Sequence, residues 1–361
     1  MRPRPPFASE LTIERELAEF ERLKAHMPEV WASISPDHPE PHTSVIVPSM
    51  TLDAAELTKL AGASFYEERL LFLLIRLRNP LARVVFVTSQ PVHPLTLEYY
   101  FQLLVGVPAS HARARLTLLS ANDASPRSLT QKILERPRLL ERIRAGIADR
   151  DRAYLTVFSS TPLERRLAVL LGIPLNGVDP ELSHLGSKSG SRKVFRRAGV
   201  DLPYGHEDLS TQEDVVDALL DVKAARPAAR RAVVKLNESF SGEGNAVFTF
   251  PETPARATVE TALDDLAYTT ASETRESYFA KFRQMGGIVE EFLDGDEKAS
   301  PSAQLRSDPF GEVHAISTHD QVLGGESGQV FLGCLFPAAD GYRREVQEAA
   351  HRVGAVLAAE G

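Results

Sequence analysis

From residue 44 onward, short β-rich apolar runs alternate with stretches of helical periodicity. "SVIVPS" and "RVVFVTS" read as strands, and "SFYEERLLFLLIRL" and "PLTLEYYFQLL" as helices. "RLTLLS" and "AYLTVFSS" continue the series, the latter followed by the helical "TPLERRLAVLLG". Strands alternating with helices predict parallel strands joined by crossovers, an open α/β sheet over residues 44–180. Ahead of it, residues 1–43 form an N-terminal extension. It holds one helix candidate, roughly Glu10 to Ala25, and the proline-rich "SPDHPEPHTS". No internal repeat is present. Ligands can bind at the carboxyl ends of parallel strands. Here those ends read "PSM" and "TSQ", with no G-x-G-x-x-G, so a dinucleotide site has no support.

Near residue 180 the texture changes. "LGSKSGSRKVFRRAGVDLP" reads as a loop and then a helix from Ser191 to Ala198, stopped by Gly199 as a left-handed cap with Pro203 beyond. An acidic helix near 211–223 precedes a strand–loop–strand, "VVKLNESFSGEGNAV", and a polar helical stretch follows at about 255–284. "GGIVEEFLDG" is a strand running into a turn. "PSAQLRS" and "EVHAISTHD" are strands joined by the turn signal "DPFG", and "YRREVQEAAHRVGAVLAAEG" is helical.

The totals narrow the function classes. At 361 residues and 43% hydrophobic content the chain has room for two or three domains with cores of their own. A net charge of −8 argues against nonspecific nucleic-acid binding, which needs a positive footprint. The single cysteine, Cys334, excludes an internal disulfide and fits a reducing compartment. Its apolar setting, "FLGCLFPA", predicts a buried, inert thiol. No apolar run reaches membrane-spanning length, and "MRPRPPFASE" lacks the hydrophobic stretch of a signal peptide, so a cytoplasmic location is expected.

Three segments could carry chemistry. Alternation along the first strand puts Val233, Lys235 and Asn237 on one face and Ala232, Val234 and Leu236 on the other. The amine and amide then look outward together while the apolar set packs on a core. The following loop holds Ser239, Ser241, Gly242 and Gly244, whose backbone N–H groups and hydroxyls can converge on an anion. An ordinary hairpin with a solvated lysine remains the competing reading. "IVEEFLDGDE", residues 288–297, offers Glu290, strand backbone over Glu291 to Leu293, and Glu297 beyond the turn. Those groups could serve a purine edge and ribose hydroxyls, or form only an acidic turn. Lys188 lies in "LGSKSGSRK" just ahead of a helix, a position where most lysines are simply exposed.

Together these pieces resemble the ATP-grasp superfamily of carboxylate–amine ligases. There one lysine precedes a helix, a second lies on a strand before a glycine-rich loop, and an "E-E-[FY]-[IL]-x-G-x-E" hinge follows. Lys188, Lys235 in "VVKLN", the loop "SGEGN" and "EEFLDGDE" match in that order. The resemblance implies a pre-ATP-grasp open parallel sheet over 44–180. An ATP-grasp fold of two α+β subdomains follows, at 181–285 and 286–361, the second incomplete. It further implies that Lys188 and Lys235 contact the phosphates and base of ATP. Ser241, Gly242, Gly244 and Asn245 would cover the β- and γ-phosphates. Glu290 with the backbone of Glu291, Phe292 and Leu293 would read adenine, and Glu297 would take the ribose. The run "STHDQVLGG" to "GQVFLGCLFPA" is similar to the pheganomycin-type peptide ligases.

The implied reaction has two steps. A carboxylate attacks the γ-phosphate to give an acylphosphate and ADP, and an amine then displaces phosphate to leave an amide. Placed cations matter more to such steps than a covalent nucleophile. Arg306 in "AQLRS", on one face with Ser302 and Gln304, could hold the carboxylate or acylphosphate, or be a surface arginine on a hairpin. His319, Asp320 and Gln321 end the neighbouring strand and could face the same cleft. His314 and His319, five apart on a strand, should lie on opposite faces, which disfavours a metal pair. Magnesium is required, but the family's ligands sit on later strands, and this chain ends at "VLAAEG" where the first should begin. No metal ligand is therefore assigned. The expectation is a fragment, a natural loss, or a partner that supplies the segment. Expected partners are small-molecule or peptide carboxylates and amines, with no nucleic acid, no membrane and a homodimer as one assembly. The alternative is a non-catalytic ATP-grasp-like protein that binds nucleotide or peptide. A phosphotransferase of the same superfamily lacks phosphohistidine-type signals.

Overall fold

The computed structural model describes residues 11–34, 40–51, 57, 62–239, 244–270, 273–295, 298–324 and 330–361. The chain divides into two compact units, Met1–Ser183 and His184–Gly361.

The first unit is built on five parallel strands, β1 (His42–Val47), β2 (Ala82–Thr88), β3 (Leu116–Ser120), β4 (Ala153–Val157) and β5 (Leu175–Asn176). Their order across the sheet is β3-β2-β1-β4-β5. All of β1 and nearly all of β2 is buried, as a parallel sheet covered on both faces requires. Val45, Val47, Val85 and Val87 pack on one side against α1 (Ile13–Ser33), α4 (Leu129–Leu134), α5 (Pro137–Gly146) and α6 (Pro162–Leu171). Ile46, Val84 and Phe86 pack on the other against a helix over Ala63–Arg78 and α2 (Pro94–Gln102), with the short α3 (Ala109–Ala114) beside them. The N-terminal segment is thus no loose extension, because Phe20 and Leu23 of α1 lie in this core.

Two elements differ from the sequence reading for physical reasons. Helix α1 continues past Ala25 and through Pro28 to Ser33, and its last turns bury Met27 and Val30 against Tyr154. Packing there outweighs the break a proline favours. The helix Ala63–Arg78 is 3₁₀ throughout. Its buried residues Leu71, Leu74 and Leu77 recur every third position, the spacing at which 3₁₀ side chains eclipse.

The second unit holds two antiparallel sheets. The larger contains β6 (Gly205–Leu209), β7 (Arg231–Leu236), β8 (Asn245–Thr249), β9 (Ala267–Tyr268) and β10 (Gly287–Glu291), in the order β6-β10-β7-β8-β9. One face carries Ala232, Val234, Leu236, Ala246, Phe248 and Val289 into a core shared with α8 (Gln212–Ala225), α9 (Arg256–Ala262) and α10 (Arg275–Met285). The polar stretch at 255–284 is therefore two helices with the edge strand β9 between them, not one. Helix α7 (Lys188–Arg197) ends with Gly199 in the left-handed region at φ +62, the cap read from the sequence. The smaller sheet orders β11 (Pro301–Ser307), β12 (Val313–Gly324) and β13 (Val330–Leu335) consecutively. Helix α11 (Asp340–Ala358) backs it, with Leu305 and Val313 closing on Gly354.

Candidate nucleotide site

Pairing of β7 with its neighbours decides which side chains leave the core. Val233 lies opposite both Val247 and Glu290, and Lys235 lies opposite both Asn245 and Ile288. Residues paired across antiparallel strands share a face. Lys235, Asn245 and Glu290 therefore rise from one surface whose floor is Val233, Val247 and Ile288, while the alternate residues fill the core. The alternation expected for β7 holds.

Helix α7 brings the other cations to this face. Lys188 is its first residue rather than a residue ahead of it, and Ser187 is the cap, accepting from Gly190 N at 3.0 Å. Asn237 anchors this turn. Its Oδ1 accepts from Ser189 N at 2.9 Å, its Nδ2 donates to Met285 O at 2.9 Å, and its carbonyl accepts from Lys188 N at 3.1 Å. Asn237 thus fixes Lys188 at the end of β7 instead of pointing outward with Lys235. One turn after Lys188, Arg192 reaches the sheet and donates to Glu290 Oε2 at 3.0 Å. Glu290 Oε1 accepts the Lys235 amine. Burial pulls the Lys188 amine below its ordinary value, with Lys235 repulsion adding and Glu290 opposing. Lys188, Lys235 and Glu290 are therefore one electrostatic group. Arg192 was not singled out from the sequence; its only signal is its place four residues after Lys188.

At the end of β10 the hinge backbone is bonded over its first two residues. Glu291 N donates to Tyr204 O at 2.8 Å and Phe292 N to Arg231 O at 3.2 Å. Leu293 is 64% exposed, and its N–H meets no acceptor among the described residues. The Glu291 carboxylate turns away to Tyr204 N and Arg226. The Phe292 ring lies under the Arg231 guanidinium, 3.9 Å from its centroid, with Lys298 at 5.0 Å. Gly244, whose carbonyl accepts from Leu236 N at 3.0 Å, leads from the glycine-rich loop into Asn245. Ser241, Gly242 and Glu297 lie outside the described residues.

The second sheet presents a polar face that an irregularity creates. Ser302, Gln304 and Arg306 pair with His319, Ser317 and His314, and the register slips between Gln304 and Leu305, leaving Ile316 as an extra residue. His314 and His319 consequently share a face, contrary to simple alternation along β12, but four ladder positions separate them and they form no metal pair. Gln304 Nε2 lies 3.3 Å from His319 Nδ1, and the His319 ring packs on Phe336 at 5.0 Å. Asp320 points the other way and accepts from Ala339 N at 2.8 Å and Tyr342 Oη at 2.7 Å, holding the start of α11. Residues 319–321 are mid-strand rather than at a strand end. Gln321 pairs with Cys334. That thiol is only half-buried, because β13 is largely exposed, so the expected buried cysteine is corrected.

One trio of described residues, Asp308, Glu312 and His314, has donor atoms close enough to share an ion. Asp308 is already engaged there. Its Oδ1 accepts from Phe310 N and Glu312 N at 2.9 and 3.0 Å, and its Oδ2 meets His314 at 2.9 Å. These bonds brace the β11–β12 turn. The trio does not fit the magnesium of phosphoryl transfer, which calls for hard carboxylate oxygens beside the phosphates.

The chain is similar to known proteins in sequence and in fold. The profile of a family described as IQCH-like, ATP-grasp matches residues 180–258. Over 332 residues the chain is 32% identical to the L-propargylglycine–L-glutamate ligase of Streptantibioticus cattleyicolor, a match covering 88% of this chain and 66% of that protein. Over 343 residues it is 26% identical to IQ motif-containing protein H of Danio rerio, covering 82% of this chain and 32% of that protein. The chain thus spans just under two thirds of the first relative's length and about a third of the second's. Biotin carboxylase from Campylobacter jejuni, solved as a β,γ-ATP complex, aligns with a TM-score of 0.55 at 15% identity, over 87% of this chain and 59% of that one. An open parallel sheet, a second unit with two antiparallel sheets, and the likeness to these relatives converge: the chain has an ATP-grasp fold.

Proposed function

We propose that this chain is an ATP-dependent carboxylate–amine ligase, or its nucleotide-binding part, forming an amide through an acylphosphate. The observation that carries the reading is the Lys235–Glu290 pair above the floor of Val233, Val247 and Ile288, with Lys188 on the first turn of α7 within electrostatic reach of both. Two mutually repelling amines in a partly desolvated setting gain most from a polyanion. The first turn of α7, which holds Lys188, adds the positive end of its dipole. The apolar floor suits a purine ring, and the Leu293 N–H is an available donor for its edge. Ser241, Gly242, Gly244 and Asn245 would cover the phosphates, and Glu297 would receive the ribose hydroxyls. Arg306, with His319 and Gln321 on the polar face of β11–β12, would hold the carboxylate substrate.

In the first step a carboxylate oxygen bonds to the γ-phosphorus and the bond to ADP breaks. In the second an amine nitrogen bonds to the acyl carbon, phosphate leaves, and the nitrogen gives up a proton. Lysine and arginine cations oppose the charge that builds at each stage. Magnesium, when bound, would add charge neutralisation at the phosphates. The ligase relative supports amino-acid substrates, and its name specifies two of them for that protein alone.

The test measures ADP formation with pairs of amino acids or short peptides, with product mass as the second readout. ADP release that requires both a carboxylate and an amine, and an amide of the matching mass, is expected. ADP and ATP binding without turnover under any pair would favour a nucleotide-binding accessory instead. No binding at all, or binding unchanged in Lys235→Ala, would overturn the site.

A further inference from the structure

Glu290 lies where a reader of the base would be placed, yet both its oxygens are engaged, one by Lys235 and one by Arg192. It is 8% exposed and Arg192 is 5% exposed. Arg192 is held in turn by four acceptors, Glu290 Oε2 at 3.0 Å, Glu207 Oε2 at 3.2 Å, Pro203 O at 3.0 Å and Gly205 O at 3.0 Å. Lys235 is the more exposed partner, on a flexible stem, and the described residues give it this one carboxylate. A phosphate oxygen brought to Lys235 must therefore compete with Glu290.

Resting on the nucleotide reading above, we propose that Glu290 is an internal stand-in for phosphate that holds the Lys235 amine in the empty cleft. Arg192 is the positioning residue that retains the carboxylate when the amine is handed to the nucleotide. With Arg192 in place, Glu290 keeps a hydrogen-bonded cation through the exchange. Without it, Lys235 would be the one cation hydrogen-bonded to Glu290 and would be surrendered at greater cost.

The prediction is specific to phosphate. In Arg192→Lys, ADP affinity should fall about tenfold, whereas adenosine, measured by displacement, should keep its wild-type affinity. Adding Glu290→Gln to that variant should restore ADP binding, because no carboxylate then detains the amine. A purely structural Arg192 would weaken ADP and adenosine alike, with no rescue, and that result would overturn the proposal. If Arg192→Lys does not fold, Glu290→Gln alone decides, since Arg192 keeps Glu207 and two carbonyls. Tighter ADP binding with unchanged adenosine supports the exchange, and equal or weaker ADP binding refutes it. Failure of the underlying reading looks different: wild-type protein would not bind ADP, or Lys235→Ala would bind it as well as wild type.

Discussion

Lys235 sits on a strand whose other face is wholly apolar, and its only described carboxylate partner is itself tied to a second cation. Removing the amine should therefore cost nucleotide binding far more than folding. In Lys235→Met, calorimetric titration should show ADP affinity falling by roughly 2 kcal/mol, with the melting temperature of the free protein nearly unchanged. A second residue-scale effect lies in the first unit. Burial pushes the Glu67 carboxyl from 4.5 up to about 7, although Ser89 N–H and Oγ–H bonds and nearby Lys132 oppose the shift. Between those values the folded protein binds more protons than the unfolded chain, so this group's contribution to stability falls as pH rises from 4.5 to 7 and is level above. Glu67→Gln should remove that slope, worth on the order of 3 kcal/mol, which denaturant melts at pH 5 and pH 8 would read. Lys188 and Lys235 were legible in the sequence because their motifs are local. Arg192 and the buried Glu67 were not, because their partners are distant in the chain.

Among elements, the seam between β6 and β10 leaves no room for a side chain near the site. A β-carbon on Gly205 would lie 2.1 Å from Val289 O and 2.6 Å from Glu290 Cα. Gly205→Ala should push β6 outward and pull the Gly205 carbonyl from Arg192. A loss of more than about 2 kcal/mol in chemical denaturation is expected, together with weaker ADP binding. Strand identity was readable from β-rich apolar runs and turn signals, so the strands of the three sheets were anticipated except β13 and the short β5, β6 and β9. Helix α1 outran its expected end because tertiary burial of Met27 and Val30 overrode a local proline signal. The Ala63–Arg78 helix is so leucine-rich that several periods fit its sequence, and only burial reveals the period of three.

For the molecule as a whole, each unit has a core of its own, and the described residues of the candidate nucleotide site all belong to the second. The single tryptophan, Trp31, is in the first. Tryptophan emission should follow unfolding of residues 1–183 alone, whereas far-ultraviolet dichroism follows both units. ADP at a hundred times its dissociation constant should add about 2.7 kcal/mol to the second unit and move the dichroism midpoint. An emission midpoint that moves equally would mean the two units melt as one. The order of open parallel sheet followed by a lysine-bearing helix and strand was legible from pattern and motif together. The facing of side chains in the second sheet was not, because it turns on Ile316, which no glycine or proline marks. That unpaired residue has a consequence for anyone editing the gene. Loss of its codon would leave Ser302 paired with His319 and Arg306 with His314, because the remaining residues of β12 then alternate regularly against β11. His319 would keep the surface that holds Arg306, and Asp320 the opposite one. The extra residue is the one position in this strand whose deletion is silent for the chemistry of the face.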